Sequence, residues 1–346
     1  MRMKEIKYLV RPNILALAPY SCARDEFKGE ASVFLDANES PYDNGVNRYP
    51  DPLQSEVKSL LAPLKKVKPE QIFLGNGSDE AIDLVYRVFC RPGIDNVVAP
   101  APTYGMYKVC ADVNDVEYRS IPLRSDYQLD IDSMRKSIDS KTKAIWLCSP
   151  NNPTGNVFAT EDILWFLENS NSMVIVDEAY IDFSDKGTMV EMLEKYPNLI
   201  VLQTFSKAWG QAAIRLGIAL ASEEVIEFFN KVKYPYNVNV LTQQQAIKVL
   251  GDVEKKERQV EEILVQRSVL KELLLSLPCV NAVYPSDANF LLVKVCDANG
   301  IYKFLQDNGI IVRNRHRVTL CQDCLRITVG TPTENAELFN VLKSFS

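Results

Sequence analysis

A lysine just beyond an apolar run carries the strongest chemical signal in this chain. Leu199-Ile200-Val201-Leu202 leads into Thr204-Phe205-Ser206-Lys207-Ala208, and Arg215-Leu216-Gly217 follows eight residues after the lysine. A short apolar run with polar flanks reads as a buried strand, and the C-terminal mouth of such a strand is where open α/β sheets bind ligands. Partial desolvation there would lower the ammonium pKa and make the amine available for a Schiff base. Taken alone, the pentapeptide fits a solvated loop lysine equally well. Thirty residues upstream of Lys207, Met173-Val174-Ile175-Val176 ends in Asp177, with Tyr180 three positions further on. A buried carboxylate at a neighbouring strand mouth needs a cationic partner, and a protonated pyridine nitrogen would be one. Satisfaction by local backbone is the plainer alternative, and it is weak beside the lysine.

Three further segments point at the same crevice. Ser149-Pro150-Asn151-Asn152-Pro153-Thr154-Gly155 forms a rigid turn that would present an asparagine amide, or it is a turn and nothing more. Gly75-Asn76-Gly77-Ser78-Asp79-Glu80 leaves backbone N–H groups free at the start of a helix, an anion site suited to phosphate, unless it is simply a tight turn. Pro102-Thr103-Tyr104-Gly105-Met106-Tyr107 offers Tyr104 as an aromatic platform, with a core tyrosine as the alternative.

Positioning these residues requires alternating strands and helices. β-branched runs at 71–74, 96–99, 117–121, 144–148, 173–176, 199–203 and 218–221 read as strands, and 79–90 and 161–169 as helices opened by acidic residues. That rhythm predicts an α/β fold with a large, mostly parallel sheet. Residues 241–277 have helical periodicity and almost no glycine, which predicts one long helix leaving the sheet domain. Beyond it, strands at 283–284, 289–295, 310–312 and 325–329 with helices at 300–308 and 334–346 predict a smaller α+β domain. The expected division is an N-terminal arm, 1–40, packing with the small domain; a large domain, 41–250; and a small C-terminal domain, 251–346.

Composition limits the function classes. The chain has 346 residues, 47% hydrophobic and 24% charged, which excludes disordered and fibrous classes and leaves room for two domains. A net charge of −6 offers no basic excess for a phosphate backbone, so nucleic acid is not an expected partner. No apolar run approaches the roughly 18 residues of a membrane span, and the N-terminus lacks a signal-peptide pattern, so a cytoplasmic protein is expected. Eight dispersed cysteines make no disulfide framework. The one C-x-x-C, Cys321 to Cys324, has no second ligand pair, and the sole histidine, His316, lies among arginines, so no metal is expected.

Together and in this order, these elements resemble the fold-type I pyridoxal-phosphate enzymes, and specifically the histidinol-phosphate aminotransferases. The resemblance covers nearly the whole chain and extends to Ala18-Pro19-Tyr20-Ser21-Cys22-Ala23-Arg24, Leu35-Asp36-Ala37-Asn38-Glu39-Ser40-Pro41, Asn47-Arg48-Tyr49-Pro50 and Cys324-Leu325-Arg326-Ile327-Thr328-Val329-Gly330-Thr331. It implies that Lys207 bonds covalently to pyridoxal phosphate and moves the proton at the substrate α-carbon. Asp177 would pair with the pyridinium nitrogen, Tyr180 and Asn152 with the phenolic oxygen, and Tyr104 would stack on the ring. Ser78, Asp79, Thr204, Ser206 and Arg215 would hold the cofactor phosphate. Tyr49 would complete the site from a second subunit, which implies a homodimer with shared active sites; packing within its own subunit is the alternative. Tyr20, Arg313 and Arg326 would bind the small-molecule substrates, histidinol phosphate and glutamate or 2-oxoglutarate. Arg315 and Arg317 are expected to be solvated. The basic run Arg313-Asn314-Arg315-His316-Arg317 and the Cys321-Gln322-Asp323-Cys324 segment depart from the family pattern at the substrate end.

Overall fold

A computed structural model describes residues 5–20, 29 and 31–345. Residues 21–24 of the N-terminal match, Cys22 among them, lie outside these. The strands of the large domain are β1 (Ile72–Asn76), β2 (Asn96–Ala101), β3 (Glu117–Pro122), β4 (Thr142–Cys148), β5 (Met173–Asp177), β6 (Leu199–Thr204) and β7 (Leu216–Ala221). They form one sheet in the order β1-β7-β6-β5-β4-β2-β3. Only β7 runs against its neighbours; β2 to β6 pair in parallel. Strands buried on both faces need apolar side chains at every position, and β5, β6 and β7 are buried throughout. Alternate residues feed two cores: Ile145, Leu147, Val174 and Val176 on one face, Trp146, Ile175, Ile200 and Leu202 on the other.

The helices are α1 (Pro12–Ala16), α2 (Ser55–Lys65), α3 (Gly77–Phe89), α4 (Met106–Val113), α5 (Ile131–Ser137), α6 (Thr160–Asn169), α7 (Glu223–Val232), α8 (Val240–Leu250), α9 (Val253–Leu275), α10 (Ala298–Asp307) and α11 (Pro332–Lys343). The expected single helix over 241–277 is therefore two. After Gly251 the Asp252 carboxylate accepts the Lys255 N–H at 3.2 Å and caps a new helix, so the chain breaks between α8 and α9.

The small domain is an antiparallel sheet, β10-β11-β9-β8, of β8 (Val280–Val283), β9 (Phe290–Val295), β10 (Arg313–Asn314) and β11 (Cys324–Thr328). Its core joins Leu270 and Leu274 of α9 to Leu291, Val293, Ile301 and Leu338. Two expected strands shift. Residues 310–312 are not a strand, because Gly309 turns the chain at φ +78° and the Ile310 N–H is spent on the Leu305 carbonyl at 2.8 Å, ending α10. The strand expected at 283–284 lies instead at Val280–Val283.

The arm also packs otherwise than expected. Ile6, Leu9, Val10 and Ile14 are buried with Phe89 and Phe229 of the large domain, and the Arg11 N–H donates to the Val88 carbonyl at 3.0 Å. The apolar side chains of this short segment are covered by α3 and α7, not by the small domain. Part of the seam between the domains is a separate cluster of Tyr180, Phe183, Ala208, Val260, Ala288 and Phe290, which takes in the residue next to Lys207.

Candidate active site

Six chain segments leave the sheet along one edge, because β1 to β6 all end there and only β7 begins there. All the expected site residues except Tyr20 and Tyr49 line a single cavity of about 670 Å3 at this edge, between the sheet and the small domain. That size suits a small-molecule site.

Asp177 closes β5 and is 2% exposed. Its Oδ2 accepts the Tyr107 hydroxyl at 2.6 Å and its Oδ1 the Ala179 N–H at 3.1 Å. Burial outweighs both donors and pushes the carboxyl up to about 6. A carboxylate this buried, with only neutral donors, fits a site built to receive a cation. Lys207 lies 5.6 Å over the Tyr180 ring. Burial, and then the Arg326 charge, lower its pKa, against the pull of Asp177, so its amine is easier to deprotonate. Burial also raises the Tyr180 phenol.

The anion cradle is built from backbone. Gly77 opens α3 at φ +69°, and its N–H donates to the Arg215 carbonyl at 2.7 Å. Arg215 takes φ +53° to offer that carbonyl and turns its Nη2 to within 3.4 Å of Asp79 Oδ2. A Cβ at Gly217 would overlap the Gly77 carbonyl carbon and the Ser78 amide nitrogen, so β7 passes under the helix end only as glycine. The Thr204 hydroxyl accepts the Ser206 N–H at 3.0 Å, which brings both hydroxyls to the same rim. Helix N–H groups, two hydroxyls and a guanidinium are donors of the kind that bind phosphate.

At the other end, Arg326 donates through Nη1 to Asn152 Oδ1 at 2.5 Å and lies 5.2 Å over the Phe290 ring. Asn152 in turn donates to the Tyr180 hydroxyl at 3.4 Å, so the small domain's arginine is tied to the Lys207 end of the cavity. The neighbouring Asn151 has a structural part: it accepts the Thr103 hydroxyl at 2.9 Å and donates to the Pro102 carbonyl at 2.9 Å, fixing the Tyr104 loop to the Asn152 turn. Tyr104 donates to Asp79 at 3.1 Å and meets Tyr107 edge-on.

Two residues were not anticipated. Tyr107, three residues after Tyr104, is fully buried against Trp146 and reads from sequence as core, yet it holds Asp177. Arg315, expected to be solvated, lines the cavity with its Nε buried; its two-residue spacing from Arg313 on an extended segment was the available signal. Arg317 is exposed as expected. Tyr20 is 75% exposed, away from the cavity. Tyr49 is half-exposed, stacked on Tyr236 at 4.4 Å beside a separate surface groove.

An open, mostly parallel sheet with a lysine, a buried aspartate and a helix-end anion cradle at one edge defines a fold-type I pyridoxal-phosphate transferase. A model of the family described as aminotransferase class I and II matches residues 28–342, and a histidinol-phosphate aminotransferase of Bacteroides fragilis strain YCH46 is 57% identical over 344 residues, covering 99% of this chain and 100% of that protein. The chain belongs to this aminotransferase family and, within it, to the histidinol-phosphate aminotransferases. The fold is similar to two solved structures: a histidinol-phosphate aminotransferase from Clostridium acetobutylicum (TM-score 0.79, 22% identity, covering 86% of this chain and 90% of that one) and one from Sinorhizobium meliloti in complex with pyridoxal-5'-phosphate (0.78, 23%, 86% and 82%).

Proposed function

We propose that the chain transfers an amino group from L-histidinol phosphate to 2-oxoglutarate, giving imidazole acetol phosphate and L-glutamate in histidine biosynthesis, with pyridoxal phosphate as cofactor. The observation that carries this reading is the Arg326-Asn152-Tyr180 chain, which sets an anion-binding arginine in the same cavity as Lys207. The 57% identity to a histidinol-phosphate aminotransferase supports the substrate.

When bound, pyridoxal phosphate supplies an electron sink for breaking a bond at the substrate α-carbon. The residues divide the remaining work. Ser78, Asp79, Thr204, Ser206 and Arg215 hold the phosphate, and Asp177 keeps a proton on the ring nitrogen. Tyr180 and Asn152 hydrogen-bond the phenolic oxygen, and Tyr104 covers the ring. Lys207 Nζ bonds to the cofactor and, once displaced by the substrate amine, carries a proton to and from the α-carbon. Arg326 and Arg313 bind the substrate anion, Arg326 serving phosphate and carboxylate in turn, whereas Tyr20 lies outside the cavity of its own chain.

The working form is a homodimer with Tyr49 reaching the partner's site. Val33, Leu35, Tyr42, Val46, Tyr49, Tyr234 and Leu241 are large, apolar and exposed along residues 33–49 and 234–241, more apolar surface than a single copy needs. Among the described residues no helix is long and apolar enough to cross a membrane, and seven cysteines are free thiols. The thiols support a reducing, cytoplasmic setting.

The test is full turnover: histidinol phosphate with 2-oxoglutarate should yield glutamate much faster than phenylalanine does. Carbon dioxide release from threonine phosphate would reassign the chain to decarboxylation, and comparable rates with phenylalanine would make it a dual-use aminotransferase.

A further inference from the structure

We infer that Arg315 is a third substrate-binding arginine, one that lets the cavity prefer a phosphate monoester over a carboxylate. This rests on the proposed function and adds a residue expected to be idle. Arg313 pairs with Arg326 across β10 and β11, and the Arg315 N–H donates to the Cys324 carbonyl at 2.8 Å, continuing the same ladder. Alternation along the extended chain puts Arg313 and Arg315 on one face, and the pairing puts Arg326 on that face too. All three line the cavity.

Among the described residues none of the three guanidiniums has a carboxylate partner, whereas Arg91, Arg119 and Arg124 all do. Arg315 Nε is buried without a hydrogen bond, and Arg326 Nε likewise. Asp323, a carboxylate of the same loop, is engaged by the His316 ring at 3.0 Å. Buried donors without partners cost stability unless a ligand satisfies them.

The loop that follows Arg315 is held in place. The Val318 N–H donates to the Arg315 carbonyl at 2.8 Å, and the Tyr127 hydroxyl donates to the Leu320 carbonyl at 2.9 Å. Cys321 and Cys324 are buried in the large-domain core. The basic run and the C-x-x-C thus have one physical role: the cysteines anchor a loop that presents Arg315 rigidly. A carboxylate has two oxygens, which one bidentate arginine satisfies. A phosphate monoester offers three free oxygens and up to two charges, enough to engage a further guanidinium.

The experiment compares the wild-type holoenzyme with Arg315→Gln and Arg315→Lys in each half-reaction. For Arg315→Gln, the half-saturating concentration of histidinol phosphate should rise about tenfold or more, that of glutamate less than about threefold, with similar maximal rates. Arg315→Lys, which keeps the charge but not the fork, should fall between; it carries the same comparison if the glutamine variant does not fold. Unchanged constants, or an equal loss for both substrates, would overturn the assignment. Failure of the wild-type enzyme to react with histidinol phosphate would instead overturn the proposed function.

Discussion

Asp177 shows how burial alone prepares one residue for its task. Its carboxyl is pushed from 3.8 up to about 6 because desolvation exceeds what Tyr107 and the Ala179 N–H return. With the native pKa above the unfolded one, the native state holds this proton more tightly. Stability is therefore lost as pH rises from about 4 through about 6, and the loss amounts to about 3 kcal/mol above that window. Asp177→Asn in the cofactor-free protein should accordingly melt higher than wild type at pH 7.5, while the two converge near pH 4. A difference independent of pH would contradict this account. Tyr107→Phe removes the donor that favours the charged form, so in the cofactor-free protein the upper end of that pH window should move up by about one unit; an unmoved window would show that the 2.6 Å bond does not tune Asp177.

Elements, more than side chains, decide whether the proposed phosphate cradle exists. Gly217→Ala would force β7 away from the start of α3, at the contact with Gly77 and Ser78. Overpacking of this kind costs about 1–3 kcal/mol, so both the melting temperature of the cofactor-free protein and cofactor retention on dialysis should fall. Retention unchanged in a stable variant would mean that the cradle is not at this crossing. Most of these elements were legible in the sequence, because strands buried on both faces must be continuously apolar and their mouths carry the punctuation that marks loops. What was not legible depended on partners far along the chain. Nothing local says that Tyr107 faces Asp177 and not only the core. The arm's apolar residues show a need for cover without saying which domain supplies it. The break after Gly251 turns on a single aspartate acting as a cap, and the missing strand at 310–312 on an amide already committed to ending α10.

The proposed site is complete only in a dimer. Tyr49 stands outside the cavity of its own chain, on an exposed apolar stretch. If it serves the partner, mixing inactive Tyr49→Ala and Lys207→Ala subunits should restore activity: a mixed dimer carries both defects in one site and neither in the other, so random pairing returns about a quarter of wild-type sites. No recovery in verified mixed dimers would leave Tyr49 as local packing. Amino transfer from histidinol phosphate through Lys207 can be followed in a single half-reaction without 2-oxoglutarate. Histidinol phosphate should convert one equivalent of bound cofactor per chain to its amine form and stop, 2-oxoglutarate should reverse the change, and Lys207→Ala should lack it while keeping the fold. No conversion by histidinol phosphate, or near-normal conversion by Lys207→Ala, would contradict the account.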